Sequence, residues 1–119
     1  MTTGFYNGFG PKDRAGALAT IRAAVADGSI PAPSACSVCQ SCPAAPLGWH
    51  GEDYRRPLEA FPICRGCHFR VHARFRYPER WKAFIRDLDP AGWFQKLTLD
   101  PSSLMRCYDE TYPQVLTRS

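Results

Sequence analysis

Cys36-Ser37-Val38-Cys39, then His50-Gly51-Glu52-Asp53-Tyr54, then Ile63-Cys64-Arg65-Gly66-Cys67-His68-Phe69-Arg70-Val71-His72: these stretches hold every histidine of the chain and four of its six cysteines. The two Cys-x-x-Cys pairs stand 24 residues apart. That spacing lets a turn point two sulfurs at one metal, and two such knuckles supply four thiolates to a single tetrahedral zinc. Four thiolates leave no open position, so the role expected of this zinc is structural. The intervening segment, punctuated by Pro43, Pro46, Gly48, Gly51, Pro57 and Pro62, has too little apolar content to hold itself and gains most from a staple. Cys39-Gln40-Ser41-Cys42 repeats the spacing and offers an alternative knuckle. Disulfides are the other use of such pairs, but a reducing compartment favours metal.

Outward from the knuckles, the pattern predicts two short strands, around Leu47 to His50 and Phe61 to Ile63, joined by a loop. Cys67 to Phe75 has no helix breaker and sets His68, Val71, His72 and Phe75 on one face. Pro78 opens a further helix whose stripe of Trp81, Phe84, Ile85 and Leu88 reads as core. Upstream, Pro11 to Asp27 reads as a packing helix with Leu18, Ile21 and Val25 at helical spacing and Gly28 as its cap. The tail from Trp93 to Ser119 gives no clear element, and lone Cys107 reads as a plain thiol. These readings divide one small domain into residues 1–35 (helix and connector), 36–88 (metal-stapled module) and 89–119 (an extension packing on it).

Composition supports a folded chain: of 119 residues, 45% are hydrophobic and 13% aromatic, which excludes wholesale disorder. The longest apolar stretch, Ala15 to Ala26, is broken by Arg22 and falls short of the ~20 residues needed to span a bilayer, so no membrane partner is expected. The first ten residues lack the pattern of a secretory signal, and the expected location is cytoplasmic. Net charge is only +4, yet nine of the fifteen Lys and Arg lie between Arg55 and Arg86. Only Glu59 and Glu79 oppose them within that span, a field that suits a polyanion. Twelve of the fifteen are arginine, whose planar fork of donors matches phosphate oxygens.

His68 and His72, four residues apart, put two imidazoles one turn apart on a helix face where they can share a cation. Such a pair alone means little. Here its helix starts at a metal knuckle, and His50 sits at a strand end in the loop that the knuckles gather.

In order and spacing, Cys36-x-x-Cys39, His50-Gly-Glu-Asp53-Tyr54-Arg-Arg-Pro57-Leu58-Glu59 and Ile63-Cys64-Arg-Gly-Cys67-His68-x-x-x-His72 resemble the HNH (ββα-metal) endonucleases, in their zinc-stapled phage and bacterial form. The resemblance runs from Cys36 to about Leu88. It implies a small α+β fold: a ββα-metal (HNH-like) core with a structural zinc held by four cysteines, and flanking helices. It also implies a DNA-binding nuclease that hydrolyses phosphodiester bonds with a divalent cation such as Mg2+, Mn2+ or Ni2+. By position, His50, His68 and His72 match the cation ligands. The departure is Gly51, where many members carry a second histidine as general base.

Three readings follow. His50 is itself the base, or Glu52 or Asp53 takes over, or cleavage is lost and the zinc protein only binds DNA or a protein partner. Arg55, Arg56, Arg70, Arg74 and Arg76 are the residues expected to grip phosphates, with duplex DNA the first partner. An enzyme that cuts both strands with one site per chain often dimerises, which makes a homodimer a further expectation.

Overall fold

The computed structural model describes residues 5–116. In chain order these form helix α1 (Pro11–Ala26), strand β1 (Gly48–His50), strand β2 (Phe61–Ile63), helix α2 (Arg65–Ala73), helix α3 (Pro78–Ile85) and helix α4 (Tyr108–Thr111). Single 3-10 turns lie at Pro57–Glu59, Trp93–Lys96 and Pro101–Leu104. The class is small α+β. Among the described residues, no helix is long and apolar enough to cross a membrane.

Strands β1 and β2 pair antiparallel, with Gly48 opposite Ile63, Trp49 opposite Pro62 and His50 opposite Phe61. Side chains alternate across a strand, so Phe61 and Ile63 both turn inward while Pro62 faces the other way. The Pro62 carbonyl accepts from the Ser37 backbone N–H at 2.9 Å and from the Ser37 hydroxyl at 2.6 Å, which hangs the first cysteine knuckle on β2. The Trp93 indole N–H donates to that same hydroxyl at 3.0 Å and draws the tail onto the knuckle.

Helix α2 begins earlier than its periodicity indicates. Cys64 is its N-cap, and its sulfur accepts the Cys67 N–H at 3.4 Å, so the second knuckle is the first turn of the helix. The buried residues of α2 are Cys67 and Val71. After a turn, Pro78 occupies the first position of α3, whose Trp81 and Ile85 are buried with Phe84 and Leu88 packed beside them.

Helix α1 ends at Gly28, whose φ of +84° lets its N–H turn back to the Val25 carbonyl. It buries Ala17, Ile21 and Ala24, whereas Leu18 and Val25 are only half-buried. Small alanines beside Ile21 admit the close approach of the 3-10 turn at Pro57–Glu59, against which the helix packs.

The core joins the strands and α2 to the tail. Phe61, Ile63, Val71, Trp81 and Ile85 lie in one cluster with Trp93, Phe94, Leu97, Tyr108, Tyr112 and Leu116. Trp93 lies flat on Phe61, with ring centroids 4.1 Å apart and planes 5° from parallel.

One element absent from the sequence reading sits at Tyr6-Asn7-Gly8-Phe9. Tyr6 and Phe9 exchange both backbone hydrogen bonds at 3.0 Å, and Asn7 and Gly8 take φ values of +54° and +81°, the mirror-image turn that Asn-Gly pairs favour. This tight hairpin wedges against the tail: the Gly8 N–H donates to the Leu104 carbonyl at 3.3 Å. A Cβ on Gly8 would stand 3.0 Å from the Cys107 Cα. Gly8→Ala is therefore expected to destabilise the fold by at least about 1–2 kcal/mol, the cost of a side chain in the left-handed region. A urea titration checks this, and unchanged stability would show that the hairpin does not brace the fold.

Candidate metal centres

Cys36, Cys39, Cys64 and Cys67 come together, each offering a sulfur within 4.8 Å of the other three. The Cys39 and Cys64 sulfurs are 3.9 Å apart. Tetrahedral zinc with Zn–S bonds of about 2.3 Å holds its sulfurs about 3.8 Å apart, so the donor set and its spacing fit one such ion. Backbone geometry suits thiolates: the Val38 N–H donates to the Cys36 sulfur at 3.4 Å, as Cys67 does to Cys64. Burial pushes the Cys36 and Cys67 thiols up, so an apolar pocket alone disfavours four thiolates and a cation would be what holds them. Burial also raises Cys39, but hydrogen bonds from Ser41 and its fellow cysteines outweigh it and bring this thiol down to about 7. Cys42, the alternative ligand, is exposed and stands outside the cluster.

His50, at the end of β1, and His68 and His72, on one face of α2, form the second group. The His68 Nε2 lies 3.3 Å from the His50 Nδ1 and 3.1 Å from the His72 Nε2. Metal–nitrogen bonds of about 2.05 Å put neighbouring nitrogens about 2.9 Å apart in an octahedron and about 3.3 Å apart in a tetrahedron. The observed separations fall in that interval, and three lone pairs facing one point fit a cation better than they fit one another. Burial, then the neighbouring His50, lowers His68 to about 4 and His72 to about 3, so both are neutral at physiological pH, the form in which an imidazole can take a cation.

Glu52 fixes the direction of His50. Its carboxylate accepts from the His50 Nε2 at 2.5 Å, which commits that nitrogen as the N–H and leaves Nδ1 facing the other histidines. Tyr6 donates its hydroxyl to the same oxygen, and Asn7 donates to the other at 2.9 Å. Burial alone would raise this carboxyl, but the His50 bond and charge, Arg74 and Tyr6 hold it down at about 2. Trp93 stacks on the His50 ring, with centroids 5.6 Å apart, and Tyr6 sets its edge against His50 and His72.

Several sequence expectations need correction here. Glu52 lies on the His50 nitrogen turned away from the histidine cluster, so it orients a ligand and is not placed to take a proton there. Asp53 is engaged by Arg55 at 2.9 and 3.1 Å and fastens the turn by accepting the Arg55 backbone N–H. Arg55 also forks onto Asp109 with two bonds of 3.0 Å, so its donors bind carboxylates and clip the loop after β1 to α4. Arg74 is 1% exposed. Its guanidinium donates to the Thr98 and Val71 carbonyls and the Tyr6 hydroxyl and lies near Glu52, so it braces the interior. Arg56, Arg70 and Arg76 remain exposed.

Tyr6, Asn7, Arg74 and Trp93 are the site residues whose roles the linear reading missed. The Asn7-Gly8 turn signal was the only local pointer to the first two.

No family model, curated protein or solved structure matches this chain. Its chemistry rests on its own geometry.

Glu52→Ala would strand the His50 and Tyr6 donors in the interior and leave the buried Arg74 without its opposite charge. We expect a loss of about 3–5 kcal/mol, as for removal of one partner of a buried ion pair, with a smaller loss for Glu52→Gln, which retains an acceptor oxygen. Urea unfolding of the metal-loaded proteins tests this, and equal stability of all three would remove Glu52 from its bracing role.

Proposed function

We propose that this chain is a metal-dependent phosphodiester hydrolase acting on DNA, built as a zinc-stapled ββα-metal module of the HNH kind. The observation that supports it above all is the convergence of the His50, His68 and His72 nitrogens beside the cysteine cluster on the succession β1, β2, α2. In this reading Cys36, Cys39, Cys64 and Cys67 hold a zinc that carries structure alone. The three histidines hold a second divalent cation, which when bound polarises a phosphate oxygen and makes water a better nucleophile.

The chain's own residues do the positioning. Glu52 and Trp93 keep the His50 Nδ1 aimed inward, and helix α2 keeps His68 and His72 one turn apart. The exposed Arg56, Arg70 and Arg76 supply positive charge for the flanking phosphates.

A second reading, a module that binds DNA without cutting it, is favoured by one specific observation. Position 51 carries no proton acceptor, while Glu52 and Asp53 are bound elsewhere. The space for a base is nevertheless there: a Cβ on Gly51 would meet only Tyr54 ring carbons, at 3.6 and 3.8 Å.

Metal analysis of the purified chain is expected to find one tightly held zinc, kept by His72→Ala. Cys64→Ser should lose it together with the cooperative unfolding transition. Zinc retained in full by Cys64→Ser would overturn the assignment.

Supercoiled plasmid at low salt with magnesium, manganese or nickel tests the chemistry. Nicking by the parent chain, lost in zinc-loaded His50→Ala and His72→Ala, is the expected result. Intact plasmid with the parent but nicking by Gly51→His would establish the binding reading, with cleavage lost at one position. Intact plasmid with both proteins, under every metal, would overturn the hydrolase reading.

A further inference from the structure

Helix α2 presents a second face beside its histidines. At about 100° per residue, Arg65, Phe69 and Ala73 follow one stripe that flanks the face of His68 and His72, and Gly66 and Arg70 follow the next, which is turned away from them. With Tyr77, Arg80 and Trp81 from the turn and α3, these residues line an open groove of about 700 Å³. Its floor is aromatic and its rim is cationic. Phe69 is 73% exposed and Tyr77 40%, two large apolar side chains lining the same groove.

The rim is arranged as well as charged. Arg80 lies over the Tyr77 ring at 4.6 Å, Arg76 at 5.6 Å from the same ring, and Arg70 over Phe84 at 4.5 Å. Stacking of this kind holds a guanidinium by its face and leaves its N–H edge free to donate. Among the described residues, Arg65, Arg70, Arg76 and Arg80 enter no ion pair, in contrast to Arg55 and Arg74. The one ion pair on α3 joins Lys82 to Glu79, and neither lines the groove.

We propose that this groove is a binding site for single-stranded nucleic acid, with an unpaired base stacking on Phe69 and the backbone running along Arg65, Arg70 and Arg80. Charge complementarity selects a polyanion. The exposed Phe69 ring selects among polyanions, because every nucleobase has a π-face and an acidic side chain has none. Duplex DNA keeps its bases stacked inside, and a cleft between packed helices, whose axes run about 8–10 Å apart, is too narrow to take a double helix. The site goes beyond the cleavage reading: it stands on the groove's own residues whether or not the histidines hold a cation.

The experiment is a fluorescence-anisotropy titration of the zinc-loaded full chain, without added magnesium, against three labelled probes. These are an oligothymidylate of about a dozen nucleotides, a duplex of the same length and an oligoglutamate peptide. The oligothymidylate should bind tightest, and Phe69→Ala should weaken it by about tenfold, within the range measured for losing one stacked base. Phe69→Trp should keep the affinity. Arg70→Ala with Arg80→Ala should flatten its dependence on salt. His72→Ala should bind as the parent does, which separates this site from the hydrolase reading, since cleavage fails in that variant and strand binding does not. The proposal is overturned by a duplex that binds as tightly, by an affinity indifferent to Phe69→Ala, or by absence of binding. A peptide that competes at equal strength would also overturn it and assign the groove to an acidic protein segment.

Discussion

A carboxylate without solvent sets the terms for this structure. Glu52 is 2% exposed, and an ionised carboxylate in that position is tolerated only where donors surround it. The donors arrive from two separate stretches, Tyr6 and Asn7 from the N-terminal hairpin and His50 from β1, and Arg74 from just beyond α2 adds its charge at 3.9 Å. Arg74 in turn donates to the Thr98 carbonyl at 2.7 Å and brings in the tail. Segments spread over the chain thus meet because one charge requires them to. A small domain has little apolar surface with which to fix its parts, and here a polar network supplies the register that the two three-residue strands cannot.

The same network explains why the arginines divide into two kinds. Composition predicts only a positive field, and a field does not say which guanidiniums are free to act. Arg55 forks onto carboxylates, and Arg74 is buried against carbonyls, the Tyr6 hydroxyl and the Glu52 charge, so both are engaged within the fold. Arg70 on α2, Arg76 in the turn after it and Arg80 on α3 are exposed, where aromatic rings support them and, among the described residues, no ion pair engages them. Placement, and not abundance, therefore decides which part of the basic stretch can meet an anion.

What was legible in the sequence was whatever local spacing could encode. Cys-x-x-Cys reports a turn, His-x-x-x-His reports a helix face, and proline marks the first turns of α1 and α3, so both donor clusters and most element positions could be read directly. The roles of Glu52 and Asp53 could not, because a carboxylate two residues from a histidine looks the same whether it faces the cluster or the back of the ring. Arg74 was misplaced because the helix period assigns a face but not what packs against that face, and here Tyr6 and Thr98 come from segments remote in sequence. The tail was opaque for a related reason: its 3-10 turns follow from Trp93 and Phe94 docking into a core built by other elements, and no periodicity records that docking.

Helix α2 gathers these constraints into nine residues. Its first turn closes the cysteine cluster, its middle turns the two histidines toward β1, its outer side carries Phe69 and Arg70, and Arg74 at its end binds the Glu52 network. Four of its positions are tied inward: Cys67 and Val71 are buried, His72 meets the edge of Tyr6, and His68 meets His50 and His72. Phe69 is among those that are not. Its ring is 73% exposed in one groove with Arg65, Arg70 and Arg80, and that juxtaposition, more than the exposure alone, points to a ligand that meets the surface of the helix.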